Sequence, residues 1–170
     1  MRSRFTPLFT PHTQHHGECI GFCGHTLITR LDGTLACYEE LQMLSTPLHH
    51  FDIAHCDEKQ YSLMLFHESL TLPEHLIKTP LRGYLTSQSE TMFSLLSRAQ
   101  ELVHWLQDNR FCGQCGTPTH YDASMSTLKC PKCGHLMFPR LSPACIVLVT
   151  HHDKILLARS PHFQIGRAHV

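Results

Sequence analysis

Acidic side chains are scarce in the last third of this chain. Glu101 is the last glutamate of the sequence, and Asp153 is the last aspartate. Enzymes that act through Mg²⁺ or Mn²⁺ hold these ions on several oxygen ligands, chiefly carboxylates, and the segment after Glu101 does not supply such a set. Net charge is missing too, since 14 basic residues balance 14 acidic ones. No overall field therefore favours binding to nucleic acid or to an anionic membrane.

Long apolar runs and a secretion signal are also missing. The longest apolar run covers residues 144–149, whereas a membrane-spanning helix needs about 20 apolar residues. Residues 1–7 lack the continuous apolar segment of a signal peptide. The cysteines number 9, an odd count that does not suit a complete set of disulfides. We therefore expect a cytoplasmic protein without membrane spans, whose thiols are free or bound to metal in a reducing compartment.

What the sequence does contain is two C-x-x-C pairs, each followed by a glycine. The four cysteines are Cys112, Cys115, Cys130 and Cys133. Four thiolates at this spacing can surround one tetrahedral ion, for which Zn²⁺ is the expected metal. A rubredoxin-like iron site, a disulfide-linked pair and free thiols are the alternatives. Because four cysteines leave no open coordination position, we predict a structural zinc ribbon and not a catalytic zinc.

The first eighty residues have the pattern of a small mixed or β-rich domain. Asp32-Gly33 separates two β-prone runs, 27–31 and 34–38, and predicts a hairpin with a two-residue turn. Residues 50–55 and 60–67 predict a second antiparallel pair. Cys19 and Cys23, with His25 nearby, leave open a second metal site, although no second cysteine pair completes it.

A long amphipathic helix is predicted to follow this domain. Ser87 and Glu90 have the spacing of a capping box, and the apolar residues after them recur with helical periodicity up to about Asn109. That stripe consists of Met92, Leu95, Leu96, Ala99, Leu102, Val103 and Leu106. Because the helix leads directly into Cys112, we expect a fixed arrangement of helix and ribbon.

After the ribbon, the pattern predicts another hairpin. Residues 144–150 form a continuous apolar strand, 151–153 a turn, and 154–159 the paired strand. We interpret this hairpin as the beginning of a further domain. The predicted fold class is therefore α+β, with an N-terminal mixed domain, a long helix, a four-cysteine ribbon and a final hairpin.

Several of these segments together resemble the NADH pyrophosphatases of the Nudix hydrolase superfamily, the NudC-like enzymes. The resemblance covers residues 81–159 and follows one order along the chain: helix, ribbon, aromatic-Pro-Arg, hairpin. Its motifs are Arg98-Ala99-Gln100-Glu101-Leu102-Val103-His104-Trp105, Phe111-Cys112-Gly113-Gln114-Cys115-Gly116, Cys130-Pro131-Lys132-Cys133-Gly134, Phe138-Pro139-Arg140 and Ile155-Leu156-Leu157-Ala158. Residues 1–80 match that family only in size and β-rich character.

The resemblance implies an enzyme with three parts: an N-terminal domain at 1–110, a zinc ribbon at 111–140 and a Nudix α/β/α domain beginning at 141–164. Such enzymes are usually homodimers that hydrolyse NADH or NAD⁺ to nicotinamide mononucleotide and AMP with Mg²⁺ or Mn²⁺, and some remove NAD caps from RNA. The four cysteines would be the Zn²⁺ ligands. Phe138 stands where the family stacks an aromatic ring on the dinucleotide, and Arg82 lies close to a substrate-contacting arginine.

Two features depart from the family pattern. Met125 stands where some members use a substrate-binding glutamate. The glutamate-rich Nudix box, which holds the catalytic ions, is absent, so we expect this chain by itself to be inactive. Residues 165–170 read like a translated sequencing adapter, and we expect the natural gene to continue beyond residue 164 into that box.

A different class of function is the alternative. A stand-alone zinc ribbon can bind nucleic acid or a protein partner, and Lys129, Lys132 and Arg140 offer basic contacts. These charges are few, and aromatic platforms for stacking bases are sparse. Salt-dependent affinity for single-stranded nucleic acid would favour this alternative.

Overall fold

The structure is a computed structural model that describes residues 5–12, 18–56 and 59–157. The chain divides into two compact units, Met1–Arg140 and Leu141–Val170. The first unit contains a six-stranded sheet, three helices and a three-stranded ribbon sheet. No helix among the described residues is long and apolar enough to cross a membrane.

The six-stranded sheet has the order β1-β4-β5-β2-β3-β6. Neighbouring strands are antiparallel except β2 and β5, which pair in parallel. The strands are β1 (Phe5–Pro11), β2 (Glu18–Cys23), β3 (Thr26–Arg30), β4 (His49–Cys56), β5 (Lys59–Phe66) and β6 (Leu76–Thr79). The predicted antiparallel pair at 50–55 and 60–67 is therefore confirmed as β4 and β5.

Side chains alternate between the two faces of the sheet, as a pleated strand requires. Along β5, Leu63 and Leu65 belong to the larger apolar core, whereas Met64 and Phe66 belong to a smaller core on the other side. The smaller core is closed by the short helix α1 (Tyr38–Gln42), whose Leu41 is fully buried.

The larger core is closed by α3 (Glu90–Asp108), which follows the short helix α2 (Leu81–Leu85). The predicted apolar stripe is confirmed, because Leu95, Leu96, Ala99, Leu102, Val103 and Leu106 are all buried in this core. The predicted capping box is wrong in its position. Ser89, and not Ser87, is the N-cap, and its hydroxyl accepts the backbone N–H of Met92 at 3.3 Å.

The hairpin predicted around Asp32-Gly33 is only partly correct. The turn exists, with Gly33 at φ +83° and its N–H donating to the carbonyl of Arg30. The predicted second strand does not form, because β2 and β6 already pair with the two edges of β3. Only an isolated bridge from Thr29 to Leu35 is present among the described residues. Residues after Leu35 enter α1 instead, where the carboxylate of Glu40 accepts the backbone N–H of Cys37 at 2.7 Å.

The second unit contains one short hairpin among its described residues. It pairs β10 (Thr150–His151) with β11 (Lys154–Ile155) through a turn at His152, which has φ +55°. The prediction of a buried strand over 144–150 is wrong, because residues 141–157 are exposed and 144–149 form no ladder. An apolar run by itself is therefore not sufficient to form a strand. Residues 158–159 of the predicted partner strand lie outside the described residues.

Candidate metal centre

The four ribbon cysteines converge on one point. The sulfur of Cys115 lies 3.4 Å from that of Cys130 and 3.6 Å from that of Cys133, and the sulfurs of Cys112 and Cys133 are 3.6 Å apart. All four lie within 4.8 Å of one another. A tetrahedron with metal–sulfur bonds of about 2.3 Å has edges of about 3.8 Å, whereas a disulfide is about 2.05 Å long. The arrangement therefore fits a single ion and excludes disulfides.

Each C-x-x-C pair forms a tight turn closed by the glycine behind it. The N–H of Gly116 donates to the carbonyl of Cys112 at 2.8 Å, and Gly134 donates to Cys130 at 3.0 Å. Both glycines have positive φ, +71° and +74°, a conformation that a side chain would disfavour. A glycine after each pair therefore suits the turn that the two cysteines form.

The two turns differ in what they hold together. The second turn joins two strands of the ribbon sheet, β8 (Thr127–Lys129) and β9 (Leu136–Met137), and the N–H of Cys130 donates to the carbonyl of His135. The first turn precedes β7 (His120–Asp122), which pairs with β8. An ion bound by all four cysteines would therefore tie the end of α3 to the hairpin of β8 and β9.

The cysteine thiols perturb one another's ionisation. Hydrogen bonding from the side chain of Thr117 lowers the pKa of Cys115 to about 6. The backbone N–H of His135 lowers the pKa of Cys133. Desolvation and hydrogen bonds with the other three cysteine thiols outweigh that effect and raise the pKa of Cys133 to about 12. A metal ion bound at their centre would hold the cysteines as thiolates.

The ribbon is built into the N-terminal core. The indole Nε1 of Trp105 donates to the carbonyl of Met137 at 3.1 Å, and the hydroxyl of Tyr121 donates to the carbonyl of Phe9 at 3.1 Å. The side chains of Leu128 and Met137 are buried in the same cluster as the helix. The ribbon therefore shares the apolar core of the sheet and α3.

The two expected substrate residues lie on the surface. Phe138 directly follows β9 and is 48% exposed, and Arg82 is exposed on α2. Met125 is also exposed, in the turn before β8. Among the described residues, no hydrogen bond, ion pair or ring contact joins Phe138 to Arg82, and their roles as substrate contacts stay predictions.

The possible second metal site at Cys19, Cys23 and His25 does not form. Burial raises the pKa of the Cys19 thiol to about 12, and the Cys23 thiol donates to the carbonyl of His67 at 3.1 Å. The ring of His25 contacts that of His104. Within the described ranges, the ribbon cysteines are the only group of three or more residues whose atoms could hold one ion.

Sequence reasoning missed three residues that attach the ribbon: Trp105, Tyr121 and Thr127. Trp105 carried a signal, because it lies three residues after Leu102 on the apolar stripe and is buried. The hydroxyl of Thr127 donates to the same Met137 carbonyl at 2.8 Å. Nothing in the local sequence indicates that contact, because it depends on the register of β8 with β9.

Comparison with known proteins supplies the family context. No protein-family model matches the chain. A protein of Stutzerimonas stutzeri (strain A1501) named NAD-capped RNA hydrolase NudC is 45% identical over 86 residues, 51% of this chain and 31% of that protein. The protein of the same name from Pseudomonas aeruginosa (strain LESB58) is 33% identical over 151 residues, 88% of this chain and 54% of that protein. The protein of the same name from Pseudomonas fluorescens (strain Pf0-1) is 32% identical over 168 residues, 98% of this chain and 60% of that protein.

The longer matches, over 151 and 168 of the 170 residues, include the four ribbon cysteines, because these cysteines lie farther from either chain end than the unmatched residues can reach. The chain spans no more than about three fifths of the length of these relatives, the largest share being 60%. With the four-cysteine cluster in a mixed α+β fold, the matches identify the chain as a homologue of the proteins named NAD-capped RNA hydrolase NudC.

Proposed function

We propose that this chain is the front portion of an NAD(H) pyrophosphatase. The complete enzyme would hydrolyse the pyrophosphate of NADH or NAD⁺ to nicotinamide mononucleotide and AMP. One observation carries the proposal: the chain is 32% identical over 98% of its length to a protein named NAD-capped RNA hydrolase NudC. Removal of NAD caps from RNA is the same bond cleavage on a larger substrate, and we include it as a second activity.

In this proposal the ribbon holds a structural Zn²⁺ through Cys112, Cys115, Cys130 and Cys133. The convergence of their sulfurs within 4.8 Å supports this ligand set. Because all four positions of a tetrahedral ion are taken by cysteine, that zinc would have no place for a water or a phosphate oxygen. Its contribution is to hold the ribbon on α3 and the sheet.

The catalytic ions of the complete enzyme would be Mg²⁺ or Mn²⁺. Such ions neutralise the pyrophosphate and activate water for attack on phosphorus. They need several oxygen ligands, and Asp153 is the only acidic side chain after the ribbon. We therefore propose that residues 1–170 alone do not hydrolyse NADH, and that the carboxylates lie in the part of the relatives that this chain does not cover.

Phe138 and Arg82 are the proposed substrate contacts of this portion. A ring that is 48% exposed at the end of the ribbon is accessible to a base that would stack on it, and the guanidinium of an exposed arginine can pair with a phosphate. We further propose that the complete enzyme is a cytoplasmic homodimer, in which each subunit could contribute residues to the substrate site of the other.

The test begins with the gene. Sequencing the locus past the codon for Phe163 should reveal an open frame encoding a glutamate-rich Nudix box, and a stop codon there would refute the proposal. The complete protein and residues 1–170 are then incubated with NADH and either Mg²⁺ or Mn²⁺. We expect nicotinamide mononucleotide and AMP from the complete protein only, and no turnover of the complete protein with either metal would also refute it.

The metal is tested on the purified chain. One equivalent of zinc in a colourless protein supports the structural zinc site, whereas visible absorption with bound iron would establish the rubredoxin-like alternative. The stand-alone nucleic-acid module is less favoured, because Lys129, one of its few basic residues, lies 3.6 Å from the carboxylate of Asp122. Strong, salt-dependent binding of single-stranded RNA by the chain alone would reverse that preference.

A further inference from the structure

The backbone carbonyl of Met137 accepts two hydrogen bonds from different elements. Trp105 of α3 donates its indole N–H at 3.1 Å, and Thr127 of β8 donates its hydroxyl at 2.8 Å. A carbonyl oxygen has two lone pairs, so both acceptor positions of this oxygen are used. Both contacts are buried, where a lost hydrogen bond is not replaced by water and is therefore costly.

These two contacts act on the residue that follows. The carbonyl of Met137 and the N–H and Cα of Phe138 belong to one planar peptide unit. Holding the oxygen from two directions therefore fixes the plane and the point from which the Phe138 side chain leaves the backbone. The ring itself is 48% exposed, so packing contributes less to its position than the backbone does.

The two donors connect Phe138 to separate parts of the unit. Trp105 is buried in the core that α3 shares with the sheet. Thr127 begins the strand that pairs with β9 through the register Leu128 to Met137, and the turn between those strands contains Cys130 and Cys133. The helix and strand β8, which leads into the metal turn, thus meet at a single carbonyl oxygen.

We propose that Trp105 and Thr127 are positioning residues for Phe138, and that they hold its ring in place for stacking on the dinucleotide. The stacking role rests on the function proposed above, whereas the positioning rests on the two hydrogen bonds. The ribbon metal serves the same end indirectly, because it closes the turn that joins β8 to β9.

The positioning is tested first on residues 1–170. A single 4-fluorophenylalanine is placed at position 138, and its ¹⁹F line width and chemical shift are recorded in Trp105→Phe and in Thr127→Val. Both variants keep most of the side-chain volume and remove one donor. Thr119→Val is the matched control, because its hydroxyl donates to a different ribbon-side carbonyl, that of Asn109, at 2.6 Å.

We expect both donor variants to change the resonance at position 138, while Thr119→Val leaves it as in the parent chain. Thr127→Ser keeps a hydroxyl and should restore the parental signal. A fluorinated residue at Phe93, exposed on α3, reports whether a variant has disturbed the whole unit. A parental resonance at 138 in both donor variants would overturn the inference.

The consequence for substrate is measured on the complete enzyme. Trp105→Phe and Thr127→Val should raise KM for NADH about fivefold, the lower end of what loss of base–aromatic stacking costs. The value of kcat should change little, because the catalytic ions lie elsewhere. Unchanged KM alongside an altered ¹⁹F signal would overturn the substrate role. A parent enzyme without turnover would instead refute the proposed function, and the ¹⁹F result would still decide the positioning.

Discussion

The guanidinium of Arg98 donates a hydrogen bond to the backbone carbonyl of Ile53 at 2.9 Å. A second donor of the same group reaches the carbonyl of Leu8 at 2.7 Å. Both carbonyls lie where strand pairing is interrupted, since the register shifts between Pro7 and Thr10 in β1 and between Asp52 and Ala54 in β4. One side chain of α3 thus satisfies backbone groups that two bulges leave out of the ladder.

Replacing this side chain should destabilise the protein considerably. Arg98→Met keeps an apolar stem but leaves two carbonyls without their charged donor, and we expect a loss of about 2–4 kcal/mol in the free energy of unfolding. Urea denaturation followed by circular dichroism measures the change. Arg82→Met, at an exposed arginine of α2, is the control and should stay within about 0.5 kcal/mol of the parent. Equal stabilities of the two variants would contradict the assigned role.

Loss of the ribbon metal should loosen the ribbon first. Removing the ion, or Cys115→Ser, takes away a binding free energy of about 10 kcal/mol from a unit with few contacts of its own. We expect faster proteolysis within residues 117–129. We also expect a red-shifted emission from Trp105, the single tryptophan of the chain, because its indole N–H loses the hydrogen bond to the carbonyl of Met137. The far-UV circular dichroism of the protein should be largely retained, because the six-stranded sheet stays folded.

The control for the metal experiment is Cys145→Ser, because Cys145 is exposed and outside the ribbon. It should change neither proteolysis nor emission. Unchanged cleavage of residues 117–129 after chelation would show that the metal does not hold the ribbon. Since Leu128 and Met137 belong to the shared core, some loss of stability in the sheet is expected as well.

Gly21 should not tolerate a methyl group. A Cβ at this position of β2 would lie 2.4 Å from Cδ2 of Leu41 and 3.3 Å from Cδ1 of Ile28, both fully buried. Gly21→Ala therefore overpacks the smaller core, at an expected cost of about 1–3 kcal/mol. Gly83→Ala is the matched control, because nothing lies within 4 Å of its Cβ, and it should be neutral or slightly stabilising in α2. Thermal unfolding of both variants distinguishes these outcomes.

The stability contributed by Glu40 should depend on pH. Hydrogen bonding from Arg30 lowers the pKa of Glu40 to about 2. Because the folded pKa is below the unfolded one, the stabilisation is present at neutral pH and is lost as the pH falls from about 4.5 toward 2. Glu40→Gln should therefore lower stability at pH 7, by about 1 kcal/mol as for a lost helix cap, and make little difference near pH 2.

The exposed carboxylate of Glu74 provides the comparison for this profile. The free energy of unfolding of Glu74→Gln should differ little from that of the parent at pH 7 and at pH 2. A Glu40→Gln deficit that stays constant from pH 7 to pH 2 would show that the carboxylate charge is not responsible.

Local patterns in the sequence predicted the elements that depend on neighbouring residues. Two runs joined by a short polar segment were sufficient for β4 and β5, helical periodicity was sufficient for α3, and cysteine spacing was sufficient for the convergent sulfurs. The role of Phe138 and Arg82 stays a prediction. The strand predicted over 34–38 failed because β-propensity does not tell which edges of β3 are already occupied.

Contacts between distant segments could not be predicted in this way. The parallel pairing of β2 with β5 joins residues such as Ile20 and Leu63, and no periodicity encodes a partner so far along the chain. The same is true of the bulges that Arg98 satisfies and of the carbonyl shared by Trp105 and Thr127. Each depends on a register that is set only when the whole core packs.

The strand order also governs when this unit can fold during synthesis. β1 and β2 are consecutive in the chain, yet β4 and β5 lie between them in the sheet, so the first strand to leave the ribosome has no neighbour until His49–Phe66 have been made. The core then still lacks α3, and finally Met137. β1 must therefore wait unpaired, whereas β2 can pair with β3 and β4 with β5 as they emerge. A pause or chain break before Met137 would leave apolar surface for chaperones to shield.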